Sequence, residues 1–557
     1  MVSAAQRFHV KHCLSESAVF RPLNHQQSLF QPVIVLPSEW KKKLKNSWAE
    51  VFRKEALSLI PEHEFAHLYD RDNGRPNFPV ALLVALSIIK ELLGLTDAGL
   101  LHAFHFDLVV LHALGLEVGQ RSLAPRTLYY FRDRVAGDPA LMATFRVMTQ
   151  AILDRLGLRT DVQRLDSTQI SSNMAHLSRL GLFVHTIESF LEKARKVLPE
   201  AVEALPTPIR ERYLDRAGYF ADTTGADSRR RLQQIAQDLA ALLDHFEPHE
   251  PIRTLEGYGL LRRLFDEQCR VEVAEGEAIA VLKDPSEIAS TSLQSPSDPD
   301  ATYSGHKGKG YQVQLAETSH EDNPVEIITY VAVEGAHEDD HAALILYIEQ
   351  TQADGIGPQQ VLADTAYNSG PNLVEAAERG VELLAPTPGT VDPDDLTLAD
   401  FSMELETGEV TRCPEGHAPE MQKPTRNGQG MIVRFDRATC AACEFADSCP
   451  AGKAQGRLRF IDEQLALAWS RAREQTPAFK KFYKRRGGIE STNAQLKTGH
   501  GMRKVWARGQ KRVTFAVVMK VLAVNLKRFA RVRCAQQPRQ AAENAPIGVD
   551  EALCWAC

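Results

Sequence analysis

Residues 161–170 read DVQRLDSTQI, and the fold turns on how that stretch is taken. Val162, Arg164 and Asp166 fall on one side of a period-two pattern, with Gln163 and Leu165 on the other. That alternation predicts a strand, ending near Asp166 and leaving a carboxylate at its tip. Downstream, YQVQLAE (311–317) and VEIITYVAV (325–333) predict two more strands. Asp322, Asn323 and Pro324 lie in the turn of that hairpin. A helix over 341–352, a short strand QVLAD over 360–364, a helix over 372–379 and a strand over 381–385 follow. Strands interleaved with helices predict an α/β sheet, and Asp364 again closes a strand.

Helices are also predicted over 177–197, 228–246 and 260–267, and a Ser/Pro/Asp-rich loop over 286–300. Upstream, 79–93 predicts a helix with Pro79 at its first position and Gly94 past its end. Further helices are expected over 100–114 and 125–135. Arg126, Arg132 and Arg134 on the last either face DNA, as on a recognition helix, or decorate a helix that packs in a small bundle. Residues 1–60 show no clear period.

Composition excludes several classes. Of 557 residues, 44% are hydrophobic and 25% charged, the balance of a folded globular protein with several domains. The longest mostly apolar run, 80–89, is too short to span a bilayer. The first residues lack the apolar stretch of a signal peptide, so a cytoplasmic location is expected. Nine cysteines without such a signal argue against a disulfide framework.

Charge is uneven. The chain carries −7, yet residues 480–533 hold sixteen Lys and Arg against one acid, Glu490, leaving −22 on the rest. This segment, with Arg503 and Lys504 in it, is either a solvated helix face or a phosphate-binding surface. Phe479, Phe482, Tyr483 and Trp506 interleave with the cations and suit either base stacking or a core.

Two constellations carry chemistry. Cys413-x3-His417 and Cys440-x2-Cys443-x5-Cys449 have the spacing of a closed tetrahedral zinc site. Cys413, Cys440, Cys443 and Cys449 form the expected set, with His417 as the alternative fourth ligand. Cys554-Trp-Ala-Cys557 is a second CxxC, read as a tail feature. Asp166, Asp364 and Glu490 are three oxygen ligands on separate elements, enough for two Mg²⁺ ions and phosphoryl transfer. Around Glu490 runs Tyr483-x2-Arg486-x3-Glu490-x6-Lys497, offsets that share one face of a continuous α-helix.

These blocks resemble the DDE transposases of bacterial insertion sequences, in the group with a tyrosine–arginine–glutamate–lysine signature. Tyr483, Arg486, Glu490 and Lys497 match that signature in type and spacing. LDST (165–168), VLADTAY (361–367), SDPDA (297–301), HKGKGY (306–311), RTLYYFR (126–132) and NLKR (525–528) resemble the other blocks. The resemblance spans about residues 60–530.

It implies an RNase H-like α/β core in two parts, 156–390 and 461–533, with a helical insertion at about 171–295. A helical N-terminal domain (61–155) would precede it, after an unassigned segment (1–60). A Cys-rich zinc-binding-like insertion (391–460) would interrupt it, and a tail (534–557) would follow. Asp166, Asp364 and Glu490 would bind two Mg²⁺ or Mn²⁺ ions. Tyr483, Arg486 and Lys497 would handle DNA phosphates near the cut. The expected activity is cleavage at the element ends and strand transfer into double-stranded target DNA. A homodimer or larger synaptic complex, nucleoid-associated, would carry it out. A non-catalytic zinc-stabilised DNA-binding protein and a hydrolytic nuclease of the same fold are the competing readings.

Overall fold

The computed structural model describes residues 20–23, 36–70, 76–215, 225–274, 277–390, 392, 394–404 and 407–536. The C-terminal CxxC and the rest of the tail after Gln536 lie outside them. The chain divides into two compact units: Met1–Gly157 with Val518–Cys557, and Leu158–Val517. The division falls within the long helix Gln510–Gln536.

The first unit is helical. Its central helix, Val80–Leu93, is buried from Val80 to Ile89, as an almost wholly apolar sequence requires. Pro79 is its N-cap rather than its first helical residue, and Gly94 closes it at φ 64°. The helix expected over 100–114 is two, Asp97–Phe106 and Leu108–Leu114. Asp107 separates them because its carboxylate accepts from the amides of Val109 and Val110, at 2.8 and 3.3 Å. Helices Ser38–Lys45, Trp48–Val51 and Pro139–Leu156 have no counterpart among the sequence-based expectations. The helix Pro125–Val135 forms as expected.

The second unit is built on a mixed sheet. Its strands are β1 (Val162–Ile170), then a separate hairpin β2 (Cys269–Ala274) and β3 (Glu277–Leu282). Then come β4 (Thr302–Ser304), β5 (Gly308–Thr318), β6 (Ile328–Gly335), β7 (Gln360–Leu362) and β8 (Glu382–Leu384). The main order is β6-β5-β1-β7-β8, with β4 also pairing β5. β5 runs antiparallel to β1 and β6, whereas β7 is parallel to β1 and β8. β1 does not stop near Asp166 but continues to Ile170, because β5 pairs with it as far as Ile170↔Tyr311.

The alternation along β1 assigns its faces. Leu165 joins Ala316, Leu344, Tyr347 and Val361 in the core under the helices Asp340–Ala353 and Gly370–Glu378. Val162 packs on the opposite side with Leu362, Leu384 and Phe479. Arg164 and Asp166 share that second side.

Between β1 and β5 the helices Arg179–Val197, Gly225–Phe246 and Glu256–Gln268 enclose a core of their own around Phe183, Phe190, Phe246 and Leu261. After β8 the chain forms a small lobe with β9 (Ser402–Met403), β10 (Val410–Arg412), β11 (Met421–Pro424), β12 (Gly430–Arg434) and β13 (Arg457–Ile461). β11, β12 and β13 make an antiparallel sheet over Phe435, Leu458 and Phe460. No described helix is long and apolar enough to cross a membrane.

Candidate active site and cysteine lobe

Three carboxylates meet at one guanidinium. Arg486 Nη2 lies 2.8 Å from Asp166 Oδ1 and 3.6 Å from Asp364 Oδ2, and its Nη1 lies 2.7 Å from Glu490 Oε1. Each acid arrives on a different element. Asp166 sits inside β1. Asp364 follows β7, where its Oδ1 accepts from the Ala366 amide and caps a 3₁₀ turn. Glu490 is in the first turn of the helix Gly488–Ala494. One cation among three acids leaves the cluster negative.

Asp166 carries the strain of this arrangement. Burial pushes its carboxyl up to about 6, against the attraction of Arg486, and the charges of Asp364 and Asp340 push the same way as burial. Asn493 donates to its other oxygen at 2.9 Å. The buried Arg486 Nε and Asn493 Oδ1 have no hydrogen-bond partner.

The segment 483–497 is not the continuous α-helix that its spacing predicts. A helix Pro477–Tyr483 passes into a 3₁₀ turn Lys484–Gly487, then Gly488–Ala494, then a wider turn Gln495–Gly499. Arg486 and Glu490 still converge. Tyr483 turns inward instead: its hydroxyl donates to the carbonyl of Ala363 at 2.9 Å, and its ring stacks on Phe479. That hydrogen bond sets Tyr483 beside the backbone that precedes Asp364. Burial, with Arg503, holds Lys497 below the usual lysine value, while the charge of Asp166 acts in the other direction.

Residues that the sequence reading passed over hold this framework. Arg164 pairs with the fully buried Glu317 at 2.7 Å and donates to the Arg485 carbonyl at 2.9 Å. Thr492 donates to the other Glu317 oxygen at 2.7 Å. Lys307 Nζ reaches Asp340 at 2.7 Å, Gln312 at 2.7 Å and Ser167 at 3.1 Å. The period-two face of β1 was the signal for Arg164, which stands two residues from Asp166. No local signal marked Glu317, Thr492 or Asn493.

In the small lobe Cys413, Cys440, Cys443 and Cys449 line one cavity of about 170 Å³, together with His417. All four thiols are free. Two tight turns present them: the Gly416 amide donates to the Cys413 carbonyl at 2.8 Å, and the Cys443 amide donates to the Cys440 carbonyl at 3.4 Å at the end of the short helix Arg437–Ala442. Burial raises the Cys440 thiol, and the neighbouring Cys449, Cys413 and Cys443 add to the rise. Among the described residues no three His, Cys, Asp or Glu side chains stand ready-made around a metal position. The thiols share a cavity, and the acids converge on Arg486 rather than on a common empty point.

The basic candidates divide. Arg132 pairs with Asp97 at 2.9 Å. Arg126 lies over the exposed Tyr130 ring, 5.0 Å from its centroid. Arg503 and Lys504 are exposed in the loop after Gly501, and Lys504 lies over Trp506.

Comparison with protein families gives two matches. The transposase DDE domain family matches residues 412–530, which contain the cysteines and Glu490. A family described as Transposase domain (DUF772) matches residues 41–134 of the helical unit. No curated protein and no solved structure matches the chain. Both matches are to transposase families, and together they support a DDE transposase of an insertion sequence. A DDE domain implies an RNase H-like fold, and the mixed sheet accords with it.

Proposed function

We propose that this chain cuts DNA at the ends of its insertion sequence and joins the freed 3′ ends to target DNA, using Asp166, Asp364 and Glu490. The observation that carries the reading is their convergence on Arg486 from three elements. Carboxylate oxygens are the donors that Mg²⁺ and Mn²⁺ take, and the cluster's surplus negative charge fits added cations. Bound by these three acids, two such ions would activate the attacking oxygen and stabilise the leaving one.

The chain's own residues do the rest. Arg486 keeps the acids together before DNA arrives, then offers its guanidinium to a phosphate. Asn493 orients Asp166 through its second oxygen. Tyr483 fixes the backbone before Asp364, and Lys497 supplies a second cation for the strand. Cleavage and joining are both in-line displacements at phosphorus, so Ser167 and Thr168 need not act as nucleophiles. Two element ends require two active sites, hence a homodimer or larger complex on double-stranded DNA, associated with the nucleoid. In the lobe, Cys413, Cys440, Cys443 and Cys449, or three of them with His417, would hold a structural Zn²⁺. Four thiols in one cavity with no disulfide among them suit that ion.

The test pairs wild type with Glu490→Gln on DNA bearing the element's ends, with Mg²⁺. Wild type should cut and join, while the variant binds and does neither. Binding without cutting by both proteins would favour a non-catalytic DNA-binding protein, and cutting without joining a nuclease. Metal analysis of the purified chain should return one zinc, and a cysteine-free lobe variant should return none.

A further inference from the structure

The loop between Gly499 and the helix Gln510–Gln536 is built to expose one large aromatic ring. Met502 and Val505 are buried, at 0% and 1% exposure, and anchor it from below. Trp506 beside them is 81% exposed, the most exposed large apolar side chain among the described residues. An indole left in water costs free energy that a mobile loop would relieve by folding it inward.

This loop is not free to do so. It lies alongside the continuation of β1: the Ser171 amide donates to the Arg503 carbonyl at 3.0 Å, Val505 donates back to Ser171 at 2.8 Å, and Asn173 donates to Ala507 at 3.0 Å. Its start is tied by the Met502 amide to Leu496 at 3.0 Å. Its end is tied by the amides of Gly509 and Gln510 to Asp298 and Asp300, at 3.0 and 2.9 Å. The ring is therefore held out by backbone on both sides.

Cations surround it. Lys504 lies 5.4 Å from the ring centroid, Arg503 and Arg508 are exposed on either side, and Arg508 is steadied by the Asn173 carbonyl at 2.6 Å. The nearby acids are already engaged, since Asp298 also accepts from Tyr311 and Asp300 from Gln510. Ser171 is five residues beyond Asp166 on the same extended backbone, so the part of the loop paired with it lies about 17 Å along the strand from Asp166 at about 3.3 Å per residue. An aromatic face flanked by cations, at that reach from a phosphodiester site, matches single-stranded nucleic acid. The ring takes a base and the cations take the phosphates beside it.

We propose that Trp506 is a stacking platform for an unpaired base of the DNA strand leaving the active site, with Arg503, Lys504 and Arg508 gripping the flanking phosphates. The inference rests on the DNA-processing reading above. It adds that this face selects a frayed or single-stranded segment over a closed duplex.

The experiment uses the full chain with two probes: a blunt DNA duplex, and the same duplex with a short 3′ overhang carrying 2-aminopurine. Wild type should prefer the overhang and quench its fluorescence. Trp506→Ala should lose about tenfold in overhang affinity, and the quench with it, while binding the blunt duplex as before. Trp506→Phe should restore most of both. Equal overhang binding and quenching by wild type and Trp506→Ala would overturn the stacking role and leave the DNA-binding reading standing. No binding of either probe by wild type would overturn both. A Trp506→Ala variant unchanged on DNA but altered in mass on a sizing column would assign the ring to a protein contact instead.

Discussion

Gly488 has no room for a side chain. A Cβ there would overlap the Arg164 guanidinium, which cannot swing away because Glu317 and the Arg485 carbonyl hold it. Gly488→Ala should therefore cost about 1–3 kcal/mol, read from urea unfolding, and should also move Glu490 off the sheet. An unchanged midpoint would mean that the Arg164 pairing gives way easily. Arg486 supports a second prediction. Replacing it with Met leaves Asp166, Asp364 and Glu490 facing one another with no positive partner between them. The melting temperature of Arg486→Met should fall in chelator, by the equivalent of about 2 kcal/mol, and recover in Mg²⁺ far more than that of wild type does. A variant indifferent to Mg²⁺ would detach these acids from cation binding.

At the scale of elements, the helices Trp48–Val51 and Leu108–Leu114 are joined by a buried pair, His112 Nε2 to Glu50 Oε2 at 2.6 Å. Burial alone would raise the Glu50 carboxyl. Hydrogen bonds from His112 and Lys54, with the charge and hydrogen bond of Arg53, bring it down to about 2 instead. A carboxyl lowered on folding stabilises the fold above its unfolded value, and that contribution drains away as pH falls from about 4.5 to about 2. Glu50→Gln should flatten this part of the stability–pH curve and cost about 3 kcal/mol near neutrality. A wild-type curve already flat across that window would contradict the pairing.

The same scale shows what the sequence made legible. β1, β5, β6, β7 and β8 could be read because alternation and short apolar runs are local signals, as could Asp166 and Asp364, although the first lies inside β1 and not at its end. The Leu108 helix start was hidden because an Asp that caps looks like an Asp on a helix surface. The Pro139–Leu156 helix carries Pro at its first position and Asp138 as its cap, both of them local signals of a helix start. The small lobe's strands are two to five residues long, too short to show a period. Its cysteines were visible while its sheet was not. Glu317 and Thr492 meet Arg164 only through pairing distant in sequence, and no spacing rule reaches that far.

For the whole molecule, net charge is a poor guide and its placement a good one. The chain totals −7, yet Lys480, Lys481, Lys484, Arg503, Lys504, Arg508, Lys511 and Arg512 are all exposed within one unit. Glu490 is the single acid among residues 480–517, and Arg486 already engages it. A surface of this kind binds DNA by displacing counterions, so affinity should fall steeply with salt despite the acidic total. If about five of the eight contact phosphates, log K against log salt should have a slope near −4.5, since each neutralised phosphate contributes about −0.9. Neutralising one of them, as in Lys480→Ala, should make the slope shallower by about one and weaken all duplex sequences alike. Trp506→Ala should leave the slope unchanged, because a ring releases no counterion. A slope near zero for wild type would mean that the segment's charge is a solvated face, and that whatever DNA contact this chain makes lies elsewhere.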